Sequence, residues 1–276
     1  MTMSARRAEV FAEGFTSPEG PTFDRQGNLF FVDWDEDAVY RATLEGEVSL
    51  FVRSGGIPTG LAFHRDGRLF LADSGRGEVL AISPAGEITV VVSAFEGERL
   101  RGPNDLAFAL NGDLYFTDPK GTSLENPVGS VYLLRPDGAL ERFAGGFAFP
   151  NGVMTHETGE GRYLYLAETL TQTIHRFALG ADGRAASHER FAQLEPRGEG
   201  PDGMAFDVEG NLYVAHYGAG VVVVLDSAGR EIDRLPTGGA CPTNVAFWGA
   251  ALYVTEVERG QVLRFALGVE GKPLFG

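Results

Sequence analysis

PTGLAFHRDGRLFLADSGRGEVLAISPAGEITVVV, residues 58–92, decides the fold. Four short stretches within it, PTGLAF, GRLFLAD, GEVLAIS and ITVVV, alternate in side-chain character and are parted by Gly-, Asp- and Pro-containing turns. Period-2 patterning bounded by such residues is the signature of antiparallel strands joined by tight turns. The opening PTGLAF has counterparts in PEGPTF from Pro18, PNDLAF from Pro103, PNGVMT from Pro150, PDGMAF from Pro201 and PTNVAF from Pro242. Successive prolines lie 40, 45, 47, 51 and 41 residues apart. All but one of the segments run on to Phe, at Phe23, Phe63, Phe108, Phe206 and Phe247, with Thr155 as the exception. A second strand follows each, as in GNLFFVD (27–33), GDLYFTD (112–118) and GNLYVAH (210–216), and then a third such as GSVYLLR or GVVVVLD.

Six units of four strands predict an all-β chain, a six-bladed β-propeller of four-stranded antiparallel blades forming one domain over residues 1–276. The N-terminal AEVFAEGF reads as a displaced fourth strand. Phe11 precedes Pro18 by seven residues, as Phe51 precedes Pro58 and Phe143 precedes Pro150, while the last unit ends soon after Phe265. The first strand is therefore expected to complete the last blade and close the ring, which removes an open sheet edge.

Composition narrows the function. The 276 residues carry a formal charge of -15 and a pI near 4.7, against the clustered basic residues that nucleic-acid phosphates require. The single cysteine, Cys241, cannot form an intrachain disulfide, which fits a reducing compartment. The start MTMSARRAEV has no apolar segment of the secretory kind, and the longest apolar run, Val221–Leu225, is far too short to cross a bilayer. The expectation is a cytoplasmic protein, monomeric or weakly homo-oligomeric, with no nucleic-acid or membrane partner.

The innermost strand of each blade lines the channel of a propeller, so the residue after each Pro falls at an equivalent place around it. Those residues are Glu19, Thr59, Asn104, Asn151, Asp202 and Thr243, all oxygen donors. Turn capping accounts for any one of them but poorly for four amide and carboxylate side chains at matched positions. Converging carboxylates call for a cation or protons, and oxygen-only ligands suit Ca²⁺, Mg²⁺ or Mn²⁺ better than Zn²⁺. A second ring, at the ends of the second strands, reads Asp33, Asp73, Asp118, Glu168, His216 and Glu256. For most of these, hydrogen bonding to loop amides is the expected role. Asp118 and His216 are kept as candidate site residues, His216 because it breaks the acidic pattern with a group suited to proton transfer.

PEGP, GPND, FPNG and PDGM, in that order and with FTDPKGTSLENPVGSVY between them, resemble the SMP-30/gluconolactonase/luciferin-regenerating-enzyme (LRE)-like family over nearly the whole chain. The resemblance implies a six-bladed propeller with one divalent cation, and hydrolysis of sugar lactones such as gluconolactone. It assigns metal binding to Glu19, Asn151 and Asp202, and to Asn104 either substrate contact or completion of the metal shell. It also favours Asp202 as the catalytic base. Arg101 is the counterpart of an arginine that contacts substrate in animal members, one residue further from the Asn in RGPND. Their acidic substrate contact falls near Lys120–Gly121, where no acid stands, so their sugar specificity does not carry over directly. Ca²⁺ is the first expectation for the cofactor, with Mg²⁺, Mn²⁺, Zn²⁺ or Fe²⁺ as alternatives. The competing readings are an organophosphate or aliphatic-lactone hydrolase on the same metal, and a non-catalytic calcium-binding propeller.

Overall fold

Each of the first five repeats folds into one four-stranded antiparallel sheet whose first strand is innermost, and the sixth supplies three strands of the last sheet. The computed structural model describes residues 7–273, so residues 1–6 and 274–276 of the expected domain lie outside the described residues. Among the described residues there are six four-stranded sheets and one two-stranded ribbon, Ala94–Phe95 with Glu98–Arg99. The first four-stranded sheet contains Pro18–Phe23, Leu29–Asp33, Ala38–Ala42 and Val48–Arg53 in sequence order. The turns are held by their own side chains. Asp24 accepts N–H bonds from Gln26 and Asn28, and Asp66, Asp137 and Asp226 act in the same way on Arg68, Ala139 and Ala228.

The last blade is closed as expected. Strand Glu9–Glu13 pairs antiparallel with Gln261–Ala266, in the register Glu9 to Arg264 and Glu13 to Gln261. The amides of Gly14 and Phe15 then both donate to Gly260 O at 3.1 Å. Phe15 turns inward, edge-on to Phe31 at 4.8 Å between ring centroids, so the chain start is tied to the first blade as well as the last.

Packing lies between the blades. The buried side chains fall into six clusters, each drawn mainly from two neighbouring sheets. Four of the second strands are accordingly buried along their whole length, as in Leu29–Asp33 and Leu114–Asp118, because neighbours cover both faces. Those of the fourth and fifth blades are half-buried only at Gly161–Tyr163 and Tyr217. The repeated Phe has one task. Phe63, Phe108, Phe206, Phe247 and Phe23 each meet an aromatic ring of the preceding blade (Phe30, Phe70, Tyr165, Tyr213 and Tyr253) edge-on, at 4.9–5.1 Å. At the remaining junction Thr155 replaces the ring and donates its hydroxyl to Phe108 O at 2.8 Å.

Two details differ from the repeat as read. The third blade's inner strand is regular only over Leu106–Phe108, and beside its start the Asp105 carboxylate takes the amides of Leu106 and Val153. A short 3-10 turn, Thr169–Thr171, ends with Gln172 in the left-handed region at φ 59°. Among the described residues no helix is long and apolar enough to cross a membrane.

Candidate metal and active site in the channel

Five inner strands shift register just past their opening proline, as between Glu19 and Thr22 or Pro150 and Val153. A bulge re-aims the side chain beside it, and here it turns the residue after the proline into the channel. The strands also approach each other closely. A Cβ on Gly152 would sit 2.2 Å from Asp202 O, and one on Gly20 would sit 2.3 Å from Thr59 O. Glycine at this position lets the inner strands converge until their side chains meet.

Glu19, Thr59, Asn104, Asn151, Asp202 and Thr243 all line one cavity of about 480 Å³, within the size usual for a small-molecule site. Their roles then separate. Thr59 donates its hydroxyl to Ala72 O and Pro103 O, and Thr243 donates to Pro18 O, so both tie inner strands together. Thr169 donates to Pro201 O and accepts an N–H from Asn151 Nδ2, which fixes that amide with its oxygen facing the cavity. Asn104 Oδ1, Asn151 Oδ1 and Asp202 Oδ1 are buried and have no hydrogen-bond partner. Leaving three such acceptors unpaired in one place is costly. A cation would satisfy all three at once. Among the described residues no three His, Cys, Asp or Glu side chains are placed to hold a metal by themselves, so a metal here would rest on two carboxylates and two carboxamide oxygens, a hard-ion donor set.

The electrostatics point the same way. Burial, with the nearby Asp105 charge, pushes the Glu19 carboxyl up from 4.5 to about 8. Burial and then the charges of Glu19 and Asp105 hold Asp202 well above the usual carboxylate range. Asp105, raised by burial to about 7 despite two amide donors, was missed from sequence. Its signal was available, because four blades carry Gly at this second position (Gly20, Gly60, Gly152 and Gly203) and only Asp105 and Asn244 depart from it. A cation would replace protons as the neutraliser of this cluster.

The second ring holds the segments that lead into the inner strands. Asp33 accepts from the amides of Thr16 and Ser17, Asp73 from Ile57, Glu168 from Ala148 and Glu256 from Cys241. Asp118 does the same for Arg101 at 3.0 Å and Gly102 at 2.6 Å, and burial raises its carboxyl. It lies outside the cavity lining, and so does Arg101, whose guanidinium sits beside Gly121. His216 is 2% exposed, with Nε2 bonded to Gln172 Oε1 at 3.0 Å, and also stands behind the lining. Burial pushes its imidazole down, partly offset by its bond to the backbone of Arg197.

The walls are formed one residue further along. Ile57 and Phe149 precede their prolines, and Trp34, Ser74, Thr169 and Tyr217 follow the second-ring residues. The mouth thus combines apolar faces with hydroxyls. Thr122, Leu170 and Glu199, the last exposed and three residues before Asp202, complete the lining. Tyr217 ends its second strand at the repeat position shared with Trp34, Ser74 and Thr169, whereas Glu199 has no acidic counterpart two residues before the other opening prolines.

The chain matches the family described as SMP-30/Gluconolactonase/LRE-like region over residues 17–258. It is 30% identical over 191 residues to diisopropyl-fluorophosphatase of Loligo vulgaris, covering 64% of this chain and 61% of that one. It is 34% identical over 137 residues to lactonase drp35 of Staphylococcus aureus (strain MW2), covering 48% of this chain and 41% of that one. The matched stretch therefore spans less than two thirds of either relative. A gluconolactonase of known structure from Xanthomonas campestris superposes with a TM-score of 0.83 at 28% identity, covering 96% of this chain and 92% of that one.

Proposed function

We propose that this chain, which belongs to the SMP-30/gluconolactonase/LRE-like family, is a metal-dependent hydrolase that opens a lactone to its hydroxy acid. The observation that carries the proposal is the set of three buried, partnerless oxygens on Asn104, Asn151 and Asp202, with the Glu19 carboxylate on the same cavity. Those four residues would hold a divalent cation, Ca²⁺ first and Mg²⁺, Mn²⁺, Zn²⁺ or Fe²⁺ next, whose charge polarises an ester carbonyl and acidifies water. Around it the chain's own groups position the substrate. Trp34, Phe149 and Tyr217 offer faces to a ring and exclude water, while Asn104, Ser74 and Thr122 present polar groups to hydroxyls, as an aldonolactone requires. Asp202 is the carboxylate that the family resemblance favours as proton acceptor. Asp118 serves this reading by fixing the Arg101–Gly102 backbone beside Asn104.

A second reading, phosphotriester hydrolysis at the same oxygens, is favoured by the likeness to the squid diisopropyl-fluorophosphatase and by the apolar walls, which suit alkyl substituents. One experiment separates the two. Metal-stripped protein is assayed by pH-stat on a panel of sugar, aliphatic and aromatic lactones and one phosphotriester, with each cation added back, beside Asp202→Ala. Cation-restored lactone opening that vanishes in the variant is expected. Phosphotriester turnover alone selects the second reading, and tight cation binding without hydrolysis selects a binding protein.

A further inference from the structure

We infer that His175 and His188, on the two outer strands of the fourth blade, form a second metal site away from the channel. Its cation is a transition metal of tetragonal preference, Cu²⁺ first. The inference is independent of the hydrolase reading above. His175 lies in strand Thr173–Leu179 and His188 in Ala185–Gln193, the third and fourth strands of that sheet. His175 Nδ1 and His188 Nε2 face each other at 2.9 Å. The other three histidines are engaged elsewhere, His64 with Asp66, His156 with Lys272 and His216 with Gln172.

Both rings are held in place before any ion arrives. His175 Nε2 is 2.9 Å from Glu168 Oε2, and that carboxylate also accepts from the Ala148 amide at 2.6 Å and the Thr171 hydroxyl at 2.7 Å. Against the effect of burial, the bonds from His175, Ala148 and Thr171 hold the Glu168 carboxyl below its ordinary value. An ionised carboxylate only accepts, so His175 Nε2 carries the hydrogen and Nδ1 turns its lone pair towards His188. A carboxylate behind a histidine fixes the tautomer in this way and makes the ligating nitrogen more basic. His188 lies flat on Phe177, with 4.3 Å between ring centroids and 8° between planes, and Phe147 packs against His175 at 5.4 Å. Burial, and then the charge of His175, push the His188 imidazole below its usual value. At neutral pH it is therefore a neutral ligand.

A single hydrogen can bridge the two nitrogens, a cation can replace it, and the spacing selects which cation. With metal–nitrogen bonds of about 2.0–2.1 Å, nitrogens 2.9 Å apart subtend roughly 90° at the ion. A tetrahedral centre with the same bonds needs about 3.3–3.4 Å. The right angle belongs to square-planar and tetragonal centres, and imidazole suits Cu²⁺, which also stands highest in the order of divalent affinities. Among the described residues no third His, Cys, Asp or Glu is placed to join the pair, so water fills the remaining positions. His188 is exposed, which leaves an entry path from solvent.

The test adds one equivalent of Cu²⁺ to the untagged full chain in excess Ca²⁺, and reads it by electron paramagnetic resonance and by competition titration. A tetragonal spectrum with splitting from two nitrogens is expected. It should persist in Asp202→Ala, which removes only a channel oxygen. In His188→Ala, an exposed position whose folding is checked by circular dichroism, the two-nitrogen pattern should vanish. Copper affinity should then fall at least about tenfold, the loss that follows removal of even an outer-shell partner of a metal ligand. Glu168→Gln should keep both nitrogens in the spectrum and weaken affinity by about tenfold or more. A copper spectrum of oxygen ligation alone, or one that His188→Ala leaves unchanged, refutes the inference. Zn²⁺ held more tightly than Cu²⁺ by the pair refutes it as well.

Discussion

Titrating the metal-free protein should reveal the cation site without any substrate. Glu19 has its carboxyl raised from 4.5 to about 8 by burial and by Asp105. Between those values the folded chain holds a proton that the unfolded chain has lost, so stability must fall as pH rises through that window. At about 1.4 kcal/mol per pH unit, the loss between pH 5 and pH 8 is on the order of 3–4 kcal/mol from Glu19 alone. Asp105 and Asp202, shifted in the same direction, add to it. For a chain of this size about 1 kcal/mol moves Tm by roughly 2 °C, which gives a fall of about 5–10 °C in EDTA. A bound cation favours the ionised carboxylates, so an excess of about 100 Kd should add roughly 2.7 kcal/mol and flatten the slope. Asp202→Asn removes one charge from the cluster. It should raise Tm at pH 8 in EDTA by several degrees while abolishing the cation-induced increase. Scanning calorimetry from pH 5 to 8, with EDTA and with each cation, reads all of this. An EDTA slope that matches the cation-loaded one would refute the reasoning, as would an Asp202→Asn protein that keeps its full cation shift.

Two further outcomes follow from the packing. Deleting residues 1–14 removes the strand paired with Gln261–Ala266 and opens a sheet edge. The truncated chain should lose cooperative melting or drop in Tm by more than 10 °C (roughly 5 kcal/mol or more at this size), and a chain that melts like the intact one would contradict closure by that strand. Gly152→Ala places a methyl 2.2 Å from Asp202 O. It should cost about 1–3 kcal/mol and weaken cation affinity at least tenfold. Unchanged calorimetric binding would mean that the inner-strand spacing does not set the ligand geometry.

Much of the molecule was legible because it repeats. One unit's turn chemistry, read six times, gave the blades, their order and the strand that closes them. The repeated Phe was visible, but its task as an edge-on partner of the preceding blade depends on how neighbouring sheets pack. The residues after Pro18, Pro58, Pro103, Pro150, Pro201 and Pro242 could be named as one ring because the repeat makes them equivalent. They do line one cavity. Their division into ties and open acceptors was not legible. Thr59 and Thr243 spend their hydroxyls on neighbouring carbonyls, and Asn151 has its amide oriented by Thr169. Those partners come from other positions and, in several cases, other blades.

The second ring separates the two levels further. Local sequence put a carboxylate at five ends of second strands and suggested loop amides as their targets, and the amides of Thr16, Ile57, Arg101, Ala148 and Cys241 are found there. Asp118 and His216 attracted attention for chemistry, yet both lie behind the lining, with Asp118 holding amides and His216 holding Gln172. Glu199 attracted none, because the equivalent residues two before the other prolines (Thr16, Gly56, Arg101, Ala148 and Ala240) form no acidic pattern, and the backbone there is held by Gln172, Gly198 and Gly218. By itself, then, the sequence determined the propeller, its closure and the oxygen-rich ring, since periodicity and turn chemistry are local properties repeated along the chain. Which oxygens stay open, which carboxylates share a low-dielectric space and which acid stands at the mouth were decided only by tertiary structure, because burial and charge depend on distances between blades that no single stretch of sequence encodes.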